Sequence, residues 1–160
     1  MHLNKSILFC YGKGGHEAQI NRLSTLLLPN LNDFNIVSIS DSTRAPSWSH
    51  EHILTKEVRD KYNKSLFLTI KDNMQILFRL FLLTKSNDFS ALISTGPGIS
   101  VVAAIIFKLR GIKVIHIETW SRFHTRSLTG RCMYFLSDIF YVQHKSLLNY
   151  YPRAIYSGLL

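Results

Sequence analysis

The sequence predicts an α/β fold in which a Rossmann-like parallel sheet is covered by helices on both faces. Short apolar runs alternate with longer segments of helical periodicity, as is typical of parallel strands joined by right-handed crossovers. The first apolar run, at 6–11, ends at a cluster of three glycines, and helical periodicity follows directly. Hydrophobic residues make up 46% of the 160 positions and charged residues 18%, which indicates one globular domain over residues 1–160.

Strands and helices are expected in a regular order along the chain. We expect strands at 6–11, 34–39, 53–54, 89–94, 112–117, 138–142 and 154–156. Helical periodicity covers 17–28, 65–84, 99–109 and 127–137. The rest of residues 40–64 is polar and is interpreted as a surface connection. His50 and His52 in this connection lack the spacing of a metal site, so we expect them to be solvated.

The segment 65–84 is too apolar for a helix that packs one face on a sheet and exposes the other to water. Either both sides are buried, or the outer side contacts a membrane or another chain. In the second case Phe78, Phe81 and Leu82 would enter the membrane interface, and Arg79 would reach lipid headgroups. No apolar run reaches the roughly 20 residues that a membrane-spanning helix needs.

The chain is strongly basic, with 19 Lys and Arg residues against 10 Asp and Glu residues. A net charge of +9 favours nucleic acid, phosphorylated small molecules or an anionic membrane as partners. Nucleic acid is disfavoured, because neither a recognition-helix pattern nor interleaved aromatic and basic residues is present. Cys10 and Cys132 suit a reducing cytoplasm, and no cofactor or metal is expected, because no Asp-x-Asp motif or carboxylate pair lies in a loop.

Three polar loops follow strands of the predicted sheet, at 12–16, 94–98 and 118–122. The carboxyl ends of parallel strands meet at one edge, where ligands bind in such sheets. The first loop would open onto the start of a helix, whose free N–H groups and positive dipole favour a phosphate or carboxylate. The second glycine turn is expected to repeat this geometry. We therefore expect an anion site at this edge, and the alternative is that the glycines serve only as tight turns.

An ordered set of short motifs extends over nearly the whole chain. The motifs are GKGGH at 12–16, STGPG at 94–98, IETWSR at 117–122, SLTG at 127–130, SD at 137–138, VQ at 142–143, YP at 151–152 and YSG at 156–158. In this order they resemble the Alg14-like family, whose bacterial members include the PssD and CpsF proteins of polysaccharide synthesis.

The resemblance implies a specific division of labour between two chains. Members of the family are similar to the N-terminal, acceptor-side half of a GT-B glycosyltransferase such as MurG. A partner chain would supply the half that binds the nucleotide sugar, and this chain would be inactive alone. The pair would transfer a sugar from a UDP donor to a lipid-diphosphate-linked saccharide, in capsular or exopolysaccharide biosynthesis. This implies a peripheral protein on the cytoplasmic face of the plasma membrane.

The same resemblance suggests roles for individual side chains. His16, whose pKa would be near 6.5, would take the proton of the acceptor hydroxyl, and capping of the helix is the alternative. Glu118 would orient the acceptor, act as the base instead of His16, or pair with Arg122. Lys13, Arg122 and Arg126 would bind the diphosphate, because guanidinium groups match phosphate oxygens, or they are solvated surface residues.

The remaining candidate contacts belong to two groups. The acceptor-binding loops also contain Gly12, Gly14, Gly15, Thr95, Gly96, Pro97 and Gly98. Tyr156, Leu159 and Leu160 would contact the donor-binding partner, or they form a frayed tail. A function of another class remains open, namely a non-catalytic recruiter that docks and activates a separate catalytic subunit on the membrane.

Overall fold

Seven parallel strands form one sheet in the computed structural model, which describes residues 5–55 and 66–160. The strands are β1 (Lys5–Cys10), β2 (Phe34–Ser40), β3 (Glu51–Leu54), β4 (Phe89–Ser94), β5 (Lys113–Ile117), β6 (Ile139–Val142) and β7 (Ile155–Tyr156). Their spatial order is β3-β2-β1-β4-β5-β6-β7, and each neighbouring pair is parallel. This topology confirms the predicted Rossmann-like fold class.

Helices cover both faces of the sheet, as the alternation of elements predicted. They are α1 (Gly15–Leu27), α2 (Leu66–Ser86), α3 (Ile99–Leu109) and α4 (Leu128–Leu136), with 3-10 turns at Leu28–Asn30 and Lys145–Asn149. Successive side chains of a strand point to opposite faces. Ile7 and Phe9 of β1 therefore pack with α1, whereas Leu8 and Cys10 belong to the core under α2, α3 and α4. Burial on both faces explains why the strands are continuous apolar runs.

The described part of α2 has one buried side and one exposed side. Leu80 is 1% exposed and faces the core, whereas Phe78 is 63% exposed and Leu82 is 46% exposed. The expectation that both sides of this helix are buried within the chain is therefore wrong for residues 74–86. Within the described ranges, no helix combines the length and the apolar character that crossing a bilayer requires.

The two loop histidines form hydrogen bonds with the sheet edge. His50 is exposed, as expected, whereas His52 is half-buried, which corrects the expectation for His52 alone. The backbone N–H of Ile36 donates to Nδ1 of His50 at 2.9 Å. His52 donates from Nε2 to the Ser42 carbonyl at 2.9 Å, so its Nδ1 accepts from the Ser38 hydroxyl at 2.8 Å. Strand β3 consequently begins at Glu51, two residues earlier than predicted. The predicted connection at 56–64 and the predicted helix start at Ser65 lie outside the described residues.

Candidate functional site

The three predicted loops lie side by side, because they follow the adjacent strands β1, β4 and β5. The Thr95 hydroxyl of the second loop donates to the backbone carbonyl of His16 in the first loop at 3.2 Å. Gln19 in α1 donates from Nε2 to the carbonyl of Glu118 in the third loop at 3.4 Å. Residues from distant parts of the sequence therefore form one continuous rim at the carboxyl edge of the sheet.

The first loop leaves the amino end of α1 open. Gly14 precedes the helix with φ 72°, a left-handed conformation that favours glycine, and no side chain caps the helix. The first N–H groups of a helix have no carbonyl partner within it. Ala18 is the first residue that bonds back, to the Gly14 carbonyl at 3.0 Å. The Lys13 N–H is already used, because it donates to Oδ1 of Asp41 at 2.8 Å. An anion above α1 would meet the free N–H groups and the positive end of the helix dipole.

The imidazole of His16 lies directly against the backbone of the second loop. A Cβ atom on Gly96 would lie 2.7 Å from Cε1 of His16, a distance that real Cβ contacts do not reach. Gly96 also has φ 97°, where other residues are strained. Glycine at this position therefore fixes how closely the loop approaches the imidazole. Nδ1 of His16 is buried and, among the described residues, accepts or donates no hydrogen bond.

The environment keeps His16 neutral near pH 7. Burial lowers the pKa of His16 below its ordinary value of 6.5, because the charged imidazolium loses its hydration. The Thr95 backbone and the carboxylates of Glu118 and Asp41 act in the opposite direction and stabilise the imidazolium. A neutral imidazole beside carboxylates can accept a proton and hold the resulting charge, which is what a general base requires.

The expectation that the second loop repeats the geometry of the first is wrong. Gly98 has φ −54°, an ordinary helical value. The N–H groups of Ser100 and Val101 are already bonded to the carbonyls of Pro97 and Gly98, at 2.9 and 3.1 Å. Fewer N–H groups are free for an anion here than at the start of α1. The second loop instead holds the first in place, through the hydrogen bond from the Thr95 hydroxyl and the contact between Gly96 and the His16 imidazole.

Glu118 is buried, and its carboxylate is fully engaged by the protein. Only 1% of the residue is exposed. Oε1 accepts from the Ser127 hydroxyl at 2.9 Å and from the Thr119 N–H at 3.1 Å, and Oε2 accepts from the Tyr151 hydroxyl at 2.8 Å. A Cβ atom on Gly130 would lie 1.7 Å from Oε2. The carboxylate therefore fastens the third loop to the start of α4.

Glu118 and Arg122 are not paired among the described residues. The guanidinium of Arg122 donates from Nη1 to the Thr125 hydroxyl at 3.1 Å. Arg122 and Arg126 belong to an exposed stretch, 121–126, that follows β5. Their positive charges favour the ionised form of Tyr151, although burial and the Glu118 carboxylate raise the pKa of Tyr151 far above its usual range. Both arginines therefore flank the buried carboxylate and present their charge to solvent.

Sequence reasoning missed the buried polar groups beneath the rim. The Ser94 hydroxyl accepts the Gly96 N–H at 3.2 Å and also forms a hydrogen bond with Nδ1 of His116, likewise at 3.2 Å. Burial lowers the pKa of His116 to about 3, which keeps this imidazole neutral. Gln143 donates from Nε2 to the Glu118 carbonyl at 3.0 Å. Polar residues that end otherwise apolar strands are the signal that could have identified them.

The predicted partner-contact residues differ in their exposure. Tyr156 and Leu159 are 43% and 68% exposed. Leu160 packs against the core on the α1 side of the sheet. Its N–H donates to Oε1 of Gln143 at 3.1 Å, and its carbonyl accepts from Nη1 of Arg22 at 3.0 Å. The alternative that these residues form a frayed tail is therefore wrong for Leu160, which is anchored beside the rim.

Comparison with known proteins places the chain in a family. The family described as "Oligosaccharide biosynthesis protein Alg14 like" matches residues 7–160. The chain belongs to the Alg14-like family. It is 28% identical to the UDP-N-acetylglucosamine transferase subunit ALG14 of Homo sapiens, across 96% of this chain and 82% of that protein. The subunit of the same name from Debaryomyces hansenii is 29% identical, across 97% of this chain and 76% of that protein. The predicted membership is confirmed.

Solved structures support the fold. MurG of Acinetobacter baumannii superposes with a TM-score of 0.63 at 10% identity, over 87% of this chain and 41% of that one. A UDP-N-acetylglucosamine 2-epimerase from Listeria monocytogenes, described as putative in its source, superposes with a TM-score of 0.64 at 9% identity, over 93% and 42%. The chain thus spans about two fifths of each protein. These likenesses confirm the Rossmann-like fold, which corresponds to one part of each of these larger proteins.

Proposed function

We propose that this chain is the acceptor-binding subunit of a two-chain glycosyltransferase that transfers a sugar from a UDP-sugar to a lipid-diphosphate-linked saccharide. The observation that carries the proposal is the open amino end of α1 directly beside the neutral His16. The printed names of the human and Debaryomyces relatives describe subunits of a transferase that uses UDP-N-acetylglucosamine. The chain superposes on 41% of MurG, so its fold corresponds to one part of that protein.

The anion site would hold the acceptor diphosphate. The free N–H groups at the start of α1 would bind phosphate oxygens, and the helix dipole would add a favourable field. Lys13 is exposed on the same loop, and Arg122 and Arg126 are exposed on the loop after β5. These three side chains would neutralise the remaining charge of the diphosphate. Binding would place the acceptor sugar above His16.

In this proposal His16 is the general base. An acceptor hydroxyl gives its proton to the neutral imidazole while its oxygen attacks the anomeric carbon of the donor sugar, and UDP leaves with the electron pair of the broken bond. Glu118 is a positioning residue, because three hydrogen bonds occupy its carboxylate. Its negative charge stabilises the imidazolium that forms on His16.

The exposed side of α2 is proposed to lie on the inner face of the plasma membrane. Phe78, Phe81 and Leu82 are exposed there, at 63%, 43% and 46%, and Arg79 is exposed beside them. A net charge of +9 adds attraction to anionic lipids. We expect Phe78→Glu to weaken binding to vesicles containing phosphatidylglycerol at least about tenfold. The control is Leu26→Glu on α1, which lies on the other face of the sheet. An equal loss of vesicle binding in both variants would contradict the contact between α2 and the membrane.

The donor-binding subunit is proposed to dock beside the rim, at Tyr156, Leu159 and Leu160. Two of these residues are exposed, and the third is anchored to Gln143 and Arg22. An apolar group held in this way is suited to a partner interface. The motifs that resemble bacterial polysaccharide proteins favour a role of the complex in capsular or exopolysaccharide synthesis.

Co-expression with the protein encoded by the adjacent reading frame tests the proposal. We expect the two proteins to copurify from membranes and to transfer labelled sugar from a UDP-sugar to extracted membrane lipid. Each chain alone should be inactive. Transfer by this chain alone would overturn the two-chain proposal. A complex that keeps its full rate when His16 and Glu118 are both replaced by Ala would favour the non-catalytic recruiter.

A further inference from the structure

A cavity of about 620 Å³ lies between α2 and the carboxyl ends of β2 and β3. Its volume is in the range of small-molecule sites in proteins. Apolar atoms form most of its surface, and half of its twelve lining residues are aliphatic, namely Ile39, Ile53, Leu54, Ile76, Leu80 and Leu83. The proposed mechanism uses none of these six residues.

Charged groups connect the cavity with the anion site. Lys13, which belongs to the loop before α1, lines the cavity, and so does Arg79 of α2. Asp41 also lines it, but Oδ1 of Asp41 accepts the Lys13 N–H at 2.8 Å. An aliphatic wall that carries two cationic side chains matches a molecule with an apolar chain and an anionic head.

We propose that this cavity holds the part of the acceptor's lipid chain that adjoins the diphosphate. This inference rests on the proposed function and extends it from the head group to the chain. The diphosphate above α1 would direct its sugar towards His16 and its chain past Lys13 into the cavity. The other side of α2 carries the exposed Phe78 and Leu82, so the rest of the chain would continue along α2 into the bilayer.

The chemistry of the wall favours an apolar chain over a sugar or a nucleotide. Thr43, Thr55 and Gln75 add uncharged polar groups to the lining, but most of the surface is apolar. A polar ligand would lose its hydration against this apolar part without gaining hydrogen bonds from it. An apolar chain gains free energy in proportion to the area that it removes from water. The cavity would thus discriminate lipid-linked diphosphates from soluble ones such as nucleotides.

Binding of farnesyl diphosphate and inorganic diphosphate to the full chain, measured by isothermal titration calorimetry, tests this site. Both probes carry the diphosphate, and only farnesyl diphosphate carries an apolar chain. We expect farnesyl diphosphate to bind at least about tenfold more tightly. Leu54→Trp should fill the cavity and remove this difference while leaving the binding of inorganic diphosphate unchanged. Leu54 is 50% exposed, so the larger side chain is compatible with folding.

Leu26→Trp is the matched control, because Leu26 is 62% exposed on α1 and lies outside the cavity. This variant should keep the preference for farnesyl diphosphate. Thr43→Trp, at another exposed position of the wall, is a second filling variant and should behave like Leu54→Trp. Equal affinities for the two probes in the unmodified chain, or an unchanged preference in both filling variants, would overturn the cavity assignment.

The outcome for the cavity is separate from the outcome for the proposed function. Binding is measured without sugar transfer, so a chain that prefers farnesyl diphosphate but supports no transfer in the complex would contradict the proposed function alone. A complex that transfers sugar with equal efficiency to diphosphate-linked acceptors with and without an apolar chain would overturn the cavity assignment and leave the proposed function intact.

Discussion

Replacement of Gly96 by alanine provides a sharp perturbation of the site, because Gly111 offers a matched control. Both glycines have positive φ, 97° at Gly96 and 69° at Gly111. Alanine at either position costs about 1–2 kcal/mol of backbone strain. Only at Gly96 does the new Cβ meet a functional group, at 2.7 Å from Cε1 of His16, whereas nothing lies within 4 Å of a Cβ on Gly111. The difference between the two variants therefore isolates the contact with the imidazole.

The expected loss of activity in Gly96→Ala follows from the distance between the new Cβ and the imidazole. Ordinary Cβ contacts begin near 3.4 Å, so the imidazole of His16 must move by about 0.7 Å in Gly96→Ala. A displacement of about 1 Å in a catalytic group can reduce the rate about 100-fold, and we expect a loss of about 30- to 100-fold in kcat. Gly111→Ala should keep kcat within about twofold, because it acts only on stability.

The assay measures sugar transfer by the reconstituted two-chain complex, together with the melting temperature of each variant. We expect Gly96→Ala to lose at least as much thermal stability as Gly111→Ala, because of its added contact with the imidazole, and we expect a large loss of kcat only in Gly96→Ala. If Gly96→Ala transfers sugar as fast as Gly111→Ala, the position of the His16 imidazole does not determine the rate, and its role as the base is refuted.

Two further predictions concern the charges and the packing around the site. Activity should require neutral His16, so the rate should fall as the pH drops through a pKa below 6.5. Asp41→Asn removes a carboxylate that raises this pKa, so the acidic limb of the kcat/KM profile should move to lower pH, and a shift to higher pH would contradict the assignment. Gly130→Ala should lower the free energy of unfolding in urea by at least about 2 kcal/mol, because the new Cβ would lie 1.7 Å from Oε2 of Glu118, and an unchanged stability would show that the buried carboxylate does not constrain this position.

The fold and the position of the site could be predicted because they depend on periodicity. Apolar runs between helical segments indicate parallel strands, and parallel strands bring their following loops to one edge. Residues 12–16, 94–98 and 118–122 meet for this reason, although up to 110 positions separate their ends. The anion site at the start of α1 could be predicted from the glycines that precede this helix.

The orientation of polar side chains could not be predicted in this way. The sequence places Glu118 at the end of a strand, but its partners Ser127 and Tyr151 are 9 and 33 residues further along. Only the tertiary fold brings them to the carboxylate and turns it inward. His50 and His52 similarly bond to β2, which no local pattern indicates. Long-range hydrogen bonds of buried groups are therefore where sequence reasoning failed.

The central claim is that the open end of α1 binds the acceptor and that His16 beside it acts as the general base for sugar transfer. The most direct measurement is the rate of sugar transfer from a UDP-sugar to a lipid-diphosphate acceptor by the two-chain complex carrying His16→Ala. The account predicts that the variant chain still copurifies with its partner while kcat falls at least about 100-fold. Full activity of that complex would contradict the account.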